Sequence, residues 1–187
     1  MINNNESAKA ATSQPEPWLR ATKQEVPAVP RAVLHALELA QEDLQRWCHD
    51  FTDAELQTSP LGLPPLAFHL RHIPRSMDRL LTYAEGRALS SQQLADLKSE
   101  SDAPTAASEL FAGVAASFAT AEKRILALAS ADYESARTVG KKALPTTVGG
   151  LLVHIADHTQ RHVGQAITTA KLLTAMRERQ EHSLDSR

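Results

Sequence analysis

Apolar side chains recur at three-to-four-residue spacing along four long stretches of this chain, and that periodicity restricts it to amphipathic helices packed side by side. The first stretch opens at Pro30 and carries Val33, Leu37, Ala40, Leu44 and Trp47, which predicts a helix of about 20 residues. His35 and His49 fall on the opposite face, where solvent is expected. Thr52 and Glu55 make a capping-box pattern for a short turn, ended by the proline-rich loop from Ser59 to Pro65. A second long helix is expected from near Pro65, along Leu66, Leu70, Ile73, Met77, Leu80 and Leu81, with Gly86 as its stop. Asp102 ahead of Pro104 signals a third, carried by Phe111, Val114, Phe118, Ala121, Ile125 and Leu128. Thr146 or Thr147 caps a fourth that runs to about Met176. Residues 88–103 hold at most a short helix around Gln92 to Leu97, Ser130 to Leu144 looks like a loop, and no segment reads as a strand. The expected fold is all-α, a four-helix bundle with long connections.

Size and charge narrow the function classes. A chain of 187 residues suits one domain with a proper core. Its organisation is read as a flexible N-terminal arm over 1–26, a bundle over 27–176 and a charged C-terminal tail over 177–187. In the arm, only Trp18 and Leu19 offer anything to bury. Lys plus Arg number 20 against 22 Asp plus Glu, so no basic surplus draws the protein to nucleic acid or anionic lipid. No apolar run approaches the roughly 20 residues of a membrane span. Cys48 is the one cysteine, which excludes an internal disulfide and fits a reducing compartment. Near the apolar face of the first helix, it reads as a buried structural thiol. A cytoplasmic protein with no nucleic-acid or membrane partner is the expectation.

Chemistry enters with the histidines. His154, His158 and His162 are spaced by four in the fourth helix, so they share a face, and two imidazoles at that spacing can grip one metal ion. On a helical wheel centred on Leu151, Ile155, Ala166, Leu173 and Met176 cluster within about 60°. His158 and His162 fall at about −20° and +20°, where Leu would be expected, and His154 lies about 60° to one side. A buried imidazole needs a partner for each ring nitrogen, and neutral histidine is a common metal ligand. Two residues do not complete a site, so a further ligand is expected from the second helix, where His69 and His72 are the candidates. Periodicity favours His69, but Pro74 removes a backbone donor and disturbs the geometry of this turn. Spacing leaves the choice open.

Other site types fail on the letters. The bundle helices hold no Glu-x-x-His pair of the di-iron carboxylate kind, and the chain has neither His-Glu-x-x-His nor Cys-x-x-Cys. No Gly-rich phosphate loop or nucleophile elbow is present. Arg71, Arg75, Arg79 and Arg161 can meet an anionic substrate, although a solvated charged face explains them more simply.

The segment Phe68-His69-Leu70-Arg71-His72-Ile73, followed far downstream by His158-Thr-Gln-Arg-His162-Val-Gly-Gln165, resembles the DinB-like (DinB/YfiT-like) superfamily of four-helix metalloproteins over roughly residues 30 to 175. The resemblance implies a three-histidine site, with the second histidine of the upstream motif as ligand: His72, His158 and His162. His69 and His154 then stand beside the ligands or in the pocket, Gln165 and Arg161 offer polar contacts there, and Gly164 allows close helix packing. It implies a divalent ion, zinc or nickel ahead of iron, a small-molecule substrate and a homodimer. Relatives include transferases and isomerases that use low-molecular-weight thiols. Iron-dependent relatives carry an extra domain for which this chain is expected to lack room. The leading expectation is a metal-dependent enzyme of the thiol S-transferase type, with hydrolysis as another chemistry open to such a site. The alternative is a non-catalytic metal-binding or stress-response bundle acting through dimerisation.

Overall fold

A computed structural model describes residues 14–99 and 105–185. Its helices are α1 (Ala28–Cys48), α2 (Asp53–Leu56), α3 (Leu66–Ala84), α4 (Ser91–Lys98), α5 (Ala107–Ala127) and α6 (Val148–Asp185), with strands β1 (Ala136–Val139) and β2 (Leu144–Thr147) between the last two. The four long helices close a ring of contacts: α1 on α6, α6 on α3, α3 on α5 and α5 on α1. The apolar lines read from the sequence for α1, α3 and α5 meet inside that ring with a face of α6 that only partly matches the expected one. Val33, Leu37, Ala40 and Leu44 of α1 join Leu66, Leu70, Ile73, Met77 and Leu81 of α3, Val114, Phe118, Ala121 and Ile125 of α5, and Leu152, Ile155, Val163 and Ala166 of α6. Trp47 sits at the rim of this core, with the Lys171 ammonium 4.5 Å from its ring centroid.

Local signals explain where the helices begin and end. Thr52 and Glu55 form the expected capping box, with the Glu55 amide donating to Thr52 Oγ1 at 3.3 Å and Glu55 Oε2 accepting from the Thr52 amide at 2.8 Å. α3 ends at Gly86, whose φ of 76° lets the Gly86 amide donate to the Tyr83 carbonyl and the Arg87 amide to that of Thr82. Thr147 caps α6 by accepting from the Gly150 amide at 3.0 Å. Asp102 lies outside the described residues. The first-turn amide of α5, on Ala107, instead donates to Asp53 Oδ1 at 2.7 Å, so α2 supplies a cap for α5.

The structure differs from the sequence expectation at four places in the fold. The stretch expected to be a loop holds an antiparallel hairpin that pairs Ala136 with Thr147 and Val139 with Leu144. Each strand has only four residues, too few for period-two alternation to show, and Pro145 is tolerated because a two-stranded sheet consists of edges. The hairpin leads straight into α6, where a Cβ on Gly149 would meet Tyr133 at 3.1 Å; glycine permits that approach. Helix α6 also continues past Met176 to Asp185 through strong helix formers, with Arg177 bound to Glu55 at 2.6 Å. His35 is buried, not solvated, and its Nε2 lies 3.1 Å from Thr22 Oγ1. The arm explains that burial: Arg20 pairs with Glu38 and Glu42 of α1, and Lys23 with Glu122 of α5. Finally, Pro17 and Val26 are the buried residues among those described in this arm, whereas Trp18 and Leu19 are 61% and 56% exposed.

Cys48 is fully buried at the end of α1, and burial, with the nearby Asp43 charge second, pushes its thiol pKa up to about 12. The native protein should therefore leave a thiol reagent such as DTNB unreacted at about pH 8, near the ordinary thiol pKa. Unfolded protein should release one equivalent of thionitrobenzoate per chain. Rapid reaction of the native chain would show that Cys48 is accessible.

Candidate metal centre

Two helix faces create the site. On α3, Phe68 and His72 are one turn apart and stack, with ring centroids 5.3 Å apart and planes at 17°, while His69 turns into the core at 1% exposure. On α6, His154, His158 and His162 rise along one face. Because α3 packs directly on α6, the two sets of imidazoles meet.

The group that converges is His72, His158 and His162: one nitrogen from each ring lies within 4.8 Å of those of the other two, and all three side chains are half-buried. His72 Nε2 is 2.9 Å from His158 Nε2, and the His162 ring centroid is 4.2 Å from that of His72 and 4.6 Å from that of His158. Metal–imidazole bonds of about 2.0–2.1 Å set neighbouring ligand nitrogens about 3 Å apart. The His72–His158 pair already has that spacing, and His162 stands close enough for the three imidazoles, a donor set that suits a transition-metal ion, to share one. It contains no carboxylate and no thiolate.

His69 stands behind this group. Its Nδ1 is 3.3 Å from His162 Nδ1, and its Nε2 is buried with no protein partner among the described residues. Burial first, and then the charges that His162 and His72 would carry, lowers the His69 pKa to about 4. Burial is also the main cause for His158, lowered to about 4, with His162, His72, His154 and Arg161 adding to it. Both imidazoles are therefore neutral at neutral pH, the form that binds metal.

The other candidates take places around the trio. His154 is exposed at the rim, its Nδ1 3.8 Å from Asp157 and its ring 5.5 Å from that of His158. Asp157 also accepts from Arg161 at 2.8 Å. Arg161 and Gln165 line a cavity of about 310 Å³ with His69, Thr168 and the apolar pair Leu63 and Pro64. Gly164 lies on the same wall but allows no close packing, since a Cβ there would meet nothing within 4 Å. Arg71 and Arg79 are buried rather than part of a solvated face, and Arg75 donates to the Asp96 carbonyl at 3.1 Å.

His158 and His162 flank the apolar seam instead of occupying it, because Leu152, Thr159, Val163 and Ala170 are the buried residues of α6 that a wheel centred on Leu151 underweights. Including them turns the face by roughly 65° at 100° per residue. That rotation leaves the imidazoles half-open, which a ligand site requires. Phe68 stands in the upstream histidine motif, but the motif assigns it no role at the site. Its position four residues before His72 was the available signal, since an aromatic–histidine pair at that spacing stacks on a helix.

These features define a helical protein with a three-histidine cluster between two of its helices. A family model described as the DinB superfamily matches residues 36–166, and the chain belongs to that superfamily. Comparisons with curated proteins and with solved structures give no match.

The two lowered histidines have a consequence for the metal-free protein. Their ordinary pKa is 6.5 and their folded pKa about 4, so between these values the unfolded chain binds more protons than the folded one. Stability should fall as the pH is lowered through that window. Thermal melts of chelator-treated protein at stepped pH should show a declining midpoint; a flat profile would contradict the burial of these neutral rings.

Proposed function

We propose that this protein is a metal-dependent enzyme that holds one divalent ion on His72, His158 and His162 and brings a low-molecular-weight thiol to a small electrophilic substrate, as a thiol S-transferase does. Zinc or nickel suits the three imidazoles ahead of iron. The observation that carries the reading is the convergence of three half-buried imidazole nitrogens within 4.8 Å, without a carboxylate or thiolate among them. Three neutral donors leave the charge of an ion uncompensated and a coordination position open, the donor set of catalytic rather than structural zinc. When bound, such an ion would hold a coordinating thiol in its thiolate form at neutral pH.

The chain's own residues supply orientation and a pocket. Phe68 covers one face of the His72 ring, and Asp157 holds Arg161 beside the α6 histidines. The neighbouring cavity is lined by His69 and by none of the three ligands, and there Leu63 and Pro64 would offer an apolar wall and Gln165, Thr168 and Arg161 polar contacts to a part of the substrate that extends away from the ion. A purely structural metal is disfavoured by the core, which closes across all four long helices without these histidines.

Protein prepared without a histidine tag should contain about one divalent ion per chain by elemental analysis, and His158→Ala should lose it. Full occupancy in that variant would overturn the ligand assignment. The metal-stripped chain should keep its helical circular dichroism and a cooperative melt, with zinc raising the midpoint by mass action. An unfolded stripped chain would favour a structural ion. With cobalt in the site, a low-molecular-weight thiol should add a thiolate charge-transfer band, and an unchanged spectrum would remove the thiol step.

A further inference from the structure

We infer that His69 is a positioning residue that sets the ring of His162 for metal binding, by accepting a hydrogen bond at its Nδ1 from His162 Nδ1–H. This rests on the reading of His72, His158 and His162 as metal ligands. The geometry behind it is the 3.3 Å between the two Nδ1 atoms, with ring centroids 5.5 Å apart and planes at 47°.

A neutral imidazole has one N–H and one lone pair, so two facing ring nitrogens can bond only if one donates and the other accepts. Two arrangements satisfy that rule. When His162 donates, its proton is on Nδ1 and the lone pair of its Nε2 is available to an ion. When His69 donates, the proton of His162 must move to Nε2, and that nitrogen can no longer ligate. Metal binding through His162 Nε2 therefore selects the first arrangement. Ligating histidines in general have their second nitrogen held in this way, by a carboxylate, carbonyl or water. Here the acceptor is a second imidazole.

The surroundings of His69 make it a rigid acceptor. It is 1% exposed, between Phe68 and Leu70 on α3, and the Phe68 ring meets it edge-on at 5.3 Å. Once His162 donates, the proton of His69 lies on Nε2, the atom that is buried without a protein partner among the described residues. A buried, unpartnered N–H is unfavourable for stability. An apolar ring of similar size would avoid that cost, so stability alone does not account for a histidine here. The opposite arrangement would leave a buried lone pair at the same atom and would also block the ligand.

The test uses the full chain, stripped of metal and titrated with zinc against a competing chelator, as wild type, His69→Phe and His69→Asn. Phenylalanine keeps the ring and removes the acceptor, so zinc affinity should fall about 10–100-fold, the range for loss of such a partner. The melting temperature of metal-free His69→Phe should not fall, an outcome that a merely structural role does not give. Asparagine restores an oxygen acceptor near the Nδ1 position and should recover part of the affinity. Independently of any variant's folding, nitrogen-15 NMR of zinc-loaded wild type should find His162 protonated at Nδ1 and His69 at Nε2. Wild-type affinity in His69→Phe, or a proton on His69 Nδ1 in the zinc-loaded protein, overturns the inference while leaving the metal site standing. A wild-type chain that takes up no zinc overturns the metal site, and the inference with it.

Discussion

The packing of α3 against α6 is the contact on which the rest depends. Leu66, Leu70 and Ile73 on one helix and Leu152, Ile155, Val163 and Ala166 on the other are almost completely buried, and each larger side chain contributes roughly 1.5–3 kcal/mol through removal from water. Neutral imidazoles with only partly satisfied nitrogens offer no comparable gain. The histidines are therefore held together by the apolar seam beside them. Because His72 lies next to Ile73, and His158 and His162 next to Thr159 and Val163, a slip of the seam by one helical turn would separate the trio. The site inherits its geometry from the core, as preorganised ligand sites do when they are built on rigid helices.

That dependence accounts for the half-open character of the site. A helix presents a stripe to the core and its two shoulders to the boundary, and α6 has histidines on one shoulder. There the rings are dry enough for His158 to be pushed to about pKa 4, yet each side chain remains partly exposed. His69 is almost completely buried behind the trio, which suits it to hold a ligand in place.

What could be read from the letters follows the same division. Helical periodicity was legible because it repeats over five or six turns, and it selects the apolar centre of α1, α3 and α5, whereas Trp47, Leu80, Phe111 and Leu128 stand at the rim and His35, Arg71 and Arg79 are buried outside the spacing. The capping box at Thr52 and the stop at Gly86 were legible because each rests on local chemistry. The hairpin from Ala136 to Thr147 was not, since four-residue strands carry no period and the pairing is decided across a turn. His35 was misplaced because its cover comes from an arm that helix geometry cannot foresee. Choosing between His69 and His72 needed the rotation of α3 relative to α6, a tertiary quantity that spacing within one helix does not contain. The resemblance carried by the two histidine motifs favoured His72, and the structure brings that residue together with His158 and His162.

The central claim is that a divalent ion sits on three imidazoles with a position left over. X-ray absorption at the zinc edge of the loaded, untagged chain reads the coordination shell directly. Three imidazole nitrogens at about 2.0–2.1 Å and an additional ligand not supplied by the chain are expected, with an unchanged shell in His154→Ala. A shell that contains a carboxylate or a cysteine sulfur, or one closed by a fourth histidine, would contradict it.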